Sequence, residues 1–349
     1  MKLSWLGVAV LLLPLTACDA DSKIRISSSQ ISSQQAKKIR ENIQQLYPNA
    51  SSQEQQQIAD VAVKAIENLV FVEGGSFDMG DFKAPCEFPS RTRERIDWSP
   101  DNKCYSGPSA MLAGSMYLHK VTLDSYSIAK FETTYADMEV MRKVNGLPIA
   151  DQNLDGTPRI RNSKEFNERI KKLETYAAFT KTWQDAKKYC SWLSDITTLP
   201  FDLPTEAQWE YAARSRGQHY YFSTNNGYRQ KRGSSYYDPT TGYWIDYTDK
   251  EVNASTQITN VDTFPPNPLG IYGMSNQVSE WVNDWYAKDY YLHSQEHNPQ
   301  GPETGTEKIM RDGTGVTMTF ARMHSAGFES YRPSVSFRCA LQQSTPIKP

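Results

Sequence analysis

The residues best suited to bind a metal or act as nucleophiles are five cysteines (Cys18, Cys86, Cys104, Cys190, Cys339) and five histidines (His119, His219, His293, His297, His324). The pattern closest to a metal motif is "HSQEH" at 293–297, which matches H-x-x-E-H. That pattern holds zinc only on a helix, where positions i and i+4 face one ion. Here "DYYL" precedes it and "NPQGP" follows, so a solvated loop is expected. "DQNLDG" at 151–156 opens like a calcium loop, with Asp151, Asn153 and Asp155 at alternate positions. Its twelfth position is Asn162, where a bidentate Glu is wanted, and no helix pair flanks it. Neither a G-x-S-x-G elbow nor a phosphate-cradling glycine loop occurs. Cys86 and Cys104 bracket a polar loop and most simply bridge one another. These groups are few and far apart in sequence, so their chemistry depends on the elements that position them.

The chain opens "MKLSWLGVAVLLLPLTACDA". Lys2 supplies a positive start, and residues 5–15 form an apolar run too short to span a bilayer as a stable helix. "LTAC" at 15–18 resembles the lipobox of bacterial lipoproteins, in which Cys18 is lipidated and becomes the mature N-terminus. An ordinary signal peptide with an incidental cysteine is the alternative. Two or more acyl chains anchor a protein stably, where one holds only marginally. Asp19 directly follows and resembles the signal that keeps such proteins in the inner membrane. No other segment is long and apolar enough to cross a membrane, so the rest of the chain is expected in the periplasm. Four cysteines in that oxidising compartment form two disulfides by default.

Roughly 330 residues remain after such a leader, enough for one large domain or a domain with an extension. A formal net charge of −2 without Lys/Arg blocks argues against a nucleic-acid partner. Aromatics at 12%, with 20 tyrosines, suit a loop-rich fold whose surface does recognition.

Residues 19–31 are polar and read as a tether. A helix over about 33–46 places Ala36, Ile39, Ile43 and Leu46 on one face; "YPNASS" then turns, with Ser52 as the next cap. A second helix over about 53–68 carries Ile58, Val61, Ala62, Ala65, Ile66 and Leu69 at helical spacing. The pair, 32–69, is a helical hairpin whose stripe docks on the main domain or, alternatively, meets a partner. "LVFVEGGSFDMGD" (69–81) begins as a strand and breaks on glycines. Residues 119–144 give two strands and a helix capped by Thr134 with Asp137, and "TWQDAKKYCSWLS" (182–194) repeats the device with Thr182 and Asp185. In "LPTEAQWEYAAR" (203–214), Thr205 and Gln208 make a capping box, and Trp209, Ala212 and Ala213 share a face.

In this order, "FVEGGSFDMGD", "KFETTYADMEVM", "TWQDAKKYCSWLS", "LPTEAQWEYAAR", "PPNPLGIYGMSNQVSEWVNDWY" (265–286) and "SFRCA" (336–340) resemble the formylglycine-generating-enzyme (sulfatase-modifying-factor) family. The resemblance implies an irregular α+β fold related to C-type lectins, here over 70–343 after the N-terminal hairpin and before a short tail, 344–349. It makes 203–214 a framework helix. It pairs Cys190 with Cys339 in a disulfide. Active members oxidise a substrate cysteine with copper on two thiolates, which are soft ligands suited to Cu(I). Residues 311–338, where that pair belongs, contain no cysteine, so no catalytic residue is assigned. An iron-dependent branch needs histidines on an added helical domain, and 33–68 has none. The family's structural calcium would fall on Asn276, Gln277 and Glu280, but Gln277 is one methylene longer than the matching ligand and Ser279 replaces a Trp.

An insertion after the framework helix interleaves tyrosines with Ser, Gly, Asn and Thr, a mixture found on recognition surfaces. Tyr236, Tyr237, Tyr243 and Trp244 are the expected anchors for a partner, unless those rings fill the core. Two functions follow. One is a membrane-tethered, non-catalytic binding module, such as an immunity or accessory protein for a secreted type VI effector. The other is a periplasmic protein-modifying enzyme of unrecognised mechanism.

Overall fold

The computed structural model describes residues 24–82, 114–147, 175–180, 182–225, 227, 230–231, 235–238, 243–246, 260–275, 278–311, 318–325 and 335–348, with backbone alone for 230–231, 235–238 and 243–246. Helix α1 (Ser33–Leu46) starts at Ser32, whose hydroxyl accepts the Gln35 amide. Its stripe buries Ala36, Ile39 and Ile43, but Leu46 is 47% exposed because the packing ends a turn earlier than the spacing predicts. Helix α2 (Ser52–Glu67) is capped by Ser51, not Ser52. Ser51 stands three residues before Glu54, so the reciprocal serine–glutamate bonds of a capping box form there. The polar tether also ends sooner than expected. Ile24 and Ile31 are buried in the first core cluster, and the Gln56 amide side chain exchanges two hydrogen bonds with the Arg25 backbone.

Four strands make one antiparallel sheet in the order β1 (Leu69–Val72), β4 (Tyr126–Ala129), β13 (Ala340–Leu341), β5 (Phe201–Asp202). A second sheet runs β11 (Met323–Ser325), β10 (Lys308–Arg311), β9 (Ser279–Trp285), β12 (Val335–Ser336), with β12 parallel to β9. The strand that breaks at Gly74 resumes as β2 (Gly75–Met79) and pairs with β3 (His119–Leu123). Helix α3 (Tyr135–Val144) is capped by Thr134, and α4 (Trp183–Thr197) by the reciprocal Thr182–Asp185 box, both as the sequence predicts. The hairpin docks on the end of α4, where the Asn42 side chain donates to the Ile196 carbonyl at 2.9 Å. Among the described residues, no helix is long and apolar enough to cross a membrane.

The tyrosine-rich insertion, read as loop, contains three short antiparallel strands: β6 (Gln230–Lys231), β7 (Ser235–Asp238) and β8 (Tyr243–Asp246). Tyr236 and Tyr237 lie on β7, Tyr243 and Trp244 on β8, with Tyr237 and Trp244 at paired register positions. Aromatic residues favour strands, which propensity alone makes intelligible.

Cys190 on α4 is disulfide-bonded to Cys339, just before β13, across 149 residues of sequence. Cys86 and Cys104, and the loop at 151–162, lie outside the described residues. Closing so long a loop removes denatured-state entropy worth about 5 kcal/mol in the chain-entropy picture. Replacing both Cys190 and Cys339 by serine should therefore lower stability by several kcal/mol, measured by urea denaturation beside the oxidised wild type. Equal midpoints would show that the bond contributes nothing.

Candidate functional site

Helix α5 (Glu206–Ala213) starts with the predicted capping box: Thr205 accepts the Gln208 amide at 3.1 Å, and Gln208 returns to the Thr205 amide at 2.9 Å. Trp209, Ala212 and Ala213 are buried, but so is every other residue of the helix, including Glu206, Gln208 and Glu210. The element is central, with no solvent face. Buried carboxylates are tolerated only when paired and hydrogen-bonded.

Glu206, Glu210 and Arg214 recur every four residues and so share one face. Glu206 accepts Arg322 through both oxygens, at 2.7 and 2.9 Å, and Arg311 at 2.8 Å. Glu210 accepts Arg311 and Arg214, each at 2.8 Å, and the Gly80 amide at 3.1 Å. Asp284 on β9 accepts the Glu206 amide at 2.7 Å. Each guanidinium also lies over an aromatic ring: Arg322 over Tyr291 at 4.1 Å, Arg214 over Phe82 at 4.4 Å, Arg311 over Trp209 at 5.3 Å. Burial raises the Glu206 carboxyl, but Arg322 and Arg311 outweigh it and hold the group below its ordinary range. Burial, with Glu206 adding repulsion, pushes Asp284 up to about 7.

The consequence for the site is positional. Arg311 ends β10 and donates also to the Thr319 carbonyl, while Arg322 reaches the carbonyls of Gly114 and Ala287. Both ends of the segment between them are thus clamped to α5. Arg311 stands at the start of the stretch, 311–338, in which the resemblance puts the thiolate pair, and Arg322 lies within it.

A second buried cluster lies on the other side of Trp209. Arg338 donates to both oxygens of Glu280 at 2.7 Å, and the Trp209 indole donates to Glu280 at 3.0 Å. Arg338 also reaches the Tyr272 carbonyl at 2.8 Å and stands 3.6 Å from Glu132. Glu280, the expected calcium ligand, is therefore engaged by a guanidinium, while Asn276 and Gln277 lie outside the described residues. Neither Glu132 oxygen has a hydrogen-bond partner among the described residues. The carboxylate sits against Gly273, at φ +74°, where a Cβ would come within 2.3 Å of it. Burial, opposed by Arg338 and reinforced by Glu280, pushes the Glu132 carboxyl up to about 8.

Other candidates stand apart. "HSQEH" is irregular chain after a 3-10 turn at Tyr290–Leu292, and His297 meets Asp124 at 3.1 Å on the surface. A cleft of about 260 Å³ lies beside α2, walled by Val61, Lys64 and Leu193 and floored by Phe201 and Cys339. Arg214, Arg311, Arg322 and Arg338, the arginines of these two clusters, were not singled out from sequence. A usable signal existed: two glutamates four apart on a helix repel unless cations from elsewhere bridge them.

With these elements in place, the class of protein is plain: an α+β domain of the formylglycine-generating-enzyme-like, C-type-lectin-related kind. The chain belongs to the family described as the sulfatase-modifying factor enzyme 1-like domain, whose model matches residues 54–343. It is 32% identical over 134 residues to the formylglycine-generating enzyme of Mus musculus, covering 38% of this chain and 33% of that one. The match thus spans about a third of the mouse relative. It is 28% identical over 242 residues to chaperone protein LppX of Paenibacillus barcinonensis, covering 63% and 80% of the two chains. Treponema denticola variable protein 1 shares the fold, with a TM-score of 0.50, 17% identity, and 79% and 95% covered.

Two outcomes follow. Arg311→Met should cost about 3–5 kcal/mol in denaturant unfolding, since it strands charge on Glu206 and Glu210; a loss below about 1 kcal/mol would show that the network relaxes freely. Glu132 gives a pH signature. Burial pushes its folded carboxyl up to about 8, well above the ordinary glutamate range near 4.5, so between those values the folded chain holds a proton the unfolded chain lacks, and stability falls as pH rises. Glu132→Gln should flatten that fall, as read by midpoints at pH 5, 6.5 and 8. An unchanged slope would place the titration elsewhere.

Proposed function

We propose that this chain is a lipid-anchored periplasmic member of the family that binds a protein partner and performs no copper-dependent oxidation. The cysteine inventory carries this reading. Residues 311–338 contain no cysteine, and Cys190 and Cys339 are spent on each other. Cys18 belongs to the leader, and Cys86 and Cys104 to one polar insertion. No thiolate pair stands where soft Cu(I) would need one, so the residues do not fit the metal. The Paenibacillus relative named as a chaperone supports action on another protein. "LTAC" supports an anchor, and a waiting place on a periplasmic membrane suits an immunity or accessory protein of a secreted type VI effector. The relatives named as formylglycine-generating enzymes favour a second reading, modification of a periplasmic protein by another mechanism.

Incubation with Cu(I), oxygen and a cysteine-bearing peptide should yield no formylglycine above a protein-free control by mass spectrometry; copper-dependent product would overturn the binding-only reading. The surface for the partner is proposed at the β6–β8 meander. Alanine at Tyr236, Tyr237, Tyr243 or Trp244 should weaken affinity by about 2 kcal/mol at the anchor positions while leaving the melting temperature unchanged. Full affinity in all four variants, or loss of stability alongside binding, would make the meander structural.

A further inference from the structure

We propose that β1 is an interface between two copies of this chain, whose sheets join edge to edge across a two-fold axis. Strand β1 (Leu69–Val72) stands at one end of the sheet β1-β4-β13-β5. In β4 the Ala129 amide donates to the Cys339 carbonyl at 2.9 Å, and just beyond it the Lys130 amide donates to the Asn68 carbonyl at 2.7 Å. Antiparallel bonding alternates along a strand, so Val70 and Val72 bond to β4 while Leu69 and Phe71 turn their amides and carbonyls away from it. On that side neither main chain meets a hydrogen-bond partner among the described residues.

Sheet edges are ordinarily protected by charge, proline, a bulge, shortness or a covering segment. Strand β5, at the opposite end of the same sheet, is two residues long, and its Asp202 pairs with Lys187. Strand β3 is covered: its Thr122 amide donates to the Glu296 carbonyl at 2.7 Å, and the Asn298 amide donates to the Thr122 carbonyl at 2.9 Å. None of these devices stands at β1 among the described residues. The strand reads Leu-Val-Phe-Val, with no charge and no proline, and its register with β4 is unbroken. Leu69, Val70 and Phe71 are only half-buried.

The residues of the strand select a second copy as its occupant. Outward residues must pair with outward residues, so a two-fold that keeps most of the strand paired is centred on Val70 or on Phe71. Centred on Val70, it brings Glu73 towards Glu67 at the end of the other copy's α2, and like charges opposite one another destabilise a pair. Centred on Phe71, it sets Phe71 against Phe71 and Val70 against Val72, so that apolar side chains meet on both faces. Leu69 then meets Glu73, whose carboxylate is held by Arg216 of its own chain at 2.8 Å. The two outward-turned Phe71 residues exchange amide and carbonyl, and the two four-stranded sheets become one. Such an isologous contact closes at two copies and leaves no edge to extend.

The test is sedimentation equilibrium of the full chain in density-matched detergent, with hydrogen exchange at the Leu69 and Phe71 amides measured in parallel. The expected result is a dimer in which both amides exchange several-fold more slowly as protein concentration rises. Phe71→Lys sets two ammonium groups face to face and should weaken the dimer at least several-fold at an unchanged melting temperature. Gln295→Lys, at an exposed position beside β3, should leave it as it is. A monomer at every concentration would overturn the proposal, and protected amides in that monomer would show that another segment covers the edge. A dimer that Phe71→Lys leaves intact, or one whose two amides exchange at the same rate at every concentration, would place the interface elsewhere. If Phe71→Lys also lowers the melting temperature, the concentration dependence of exchange in the unaltered chain decides.

Discussion

Buried charge on a single short helix is the constraint around which this domain is built. Glu206 and Glu210 cannot remain ionised in the interior alone, so Arg214 at the end of the same helix pairs with Glu210, and Arg311 and Arg322 are brought to them from distant sequence. With Asp284 the set closes at three acids and three bases, and aromatic rings cover the guanidinium planes. Replacing such a set with apolar residues is often neutral for stability, whereas removing one member is costly. Geometry is the return: salt bridges and bidentate contacts set direction where apolar packing sets only proximity. Irregular chain on either side of β10 and β11 is held in place by these bonds and needs little regular secondary structure.

The second cluster shows the same logic with the balance tilted. Arg338 serves two carboxylates, and Glu280 takes its hydrogen bonds, leaving Glu132 with proximity alone. A group with one oxygen pair, no donors and a glycine at contact distance prefers to be neutral. The two clusters meet across Trp209, whose ring lies under Arg311 and whose indole N–H binds Glu280. One side chain on α5 therefore touches both charge clusters, at Arg311 on β10 and Glu280 on the neighbouring β9.

Much of the scaffold was legible from local chemistry. The caps at Thr134, Thr182 and Thr205 are written in three-residue spacings, and each appears where the spacing puts it. The error at Ser52 is of the same kind: two adjacent serines compete, and the one three residues before Glu54 wins. Leu46 fits its stripe but has nothing to pack against, because periodicity reports a face and not how far the neighbouring element extends. Tyr236, Tyr237, Tyr243 and Trp244 were singled out as partner anchors and not as strand residues, although aromatic residues favour strands. The charge network was the hardest to see. Its arginines are scattered over more than 120 residues, and only the tertiary fold brings them to one helix.

The Cys190–Cys339 bond gives the chain a topology as well as a crosslink. Everything from Cys190, midway along α4, to Cys339, just before the last strand, forms one covalent ring, the tyrosine-rich insertion included. A protease that cuts once anywhere inside that ring opens the backbone without releasing a fragment. The two pieces stay joined until a reductant reaches a bond buried midway along α4. A cut within the insertion can therefore leave the domain a single molecule.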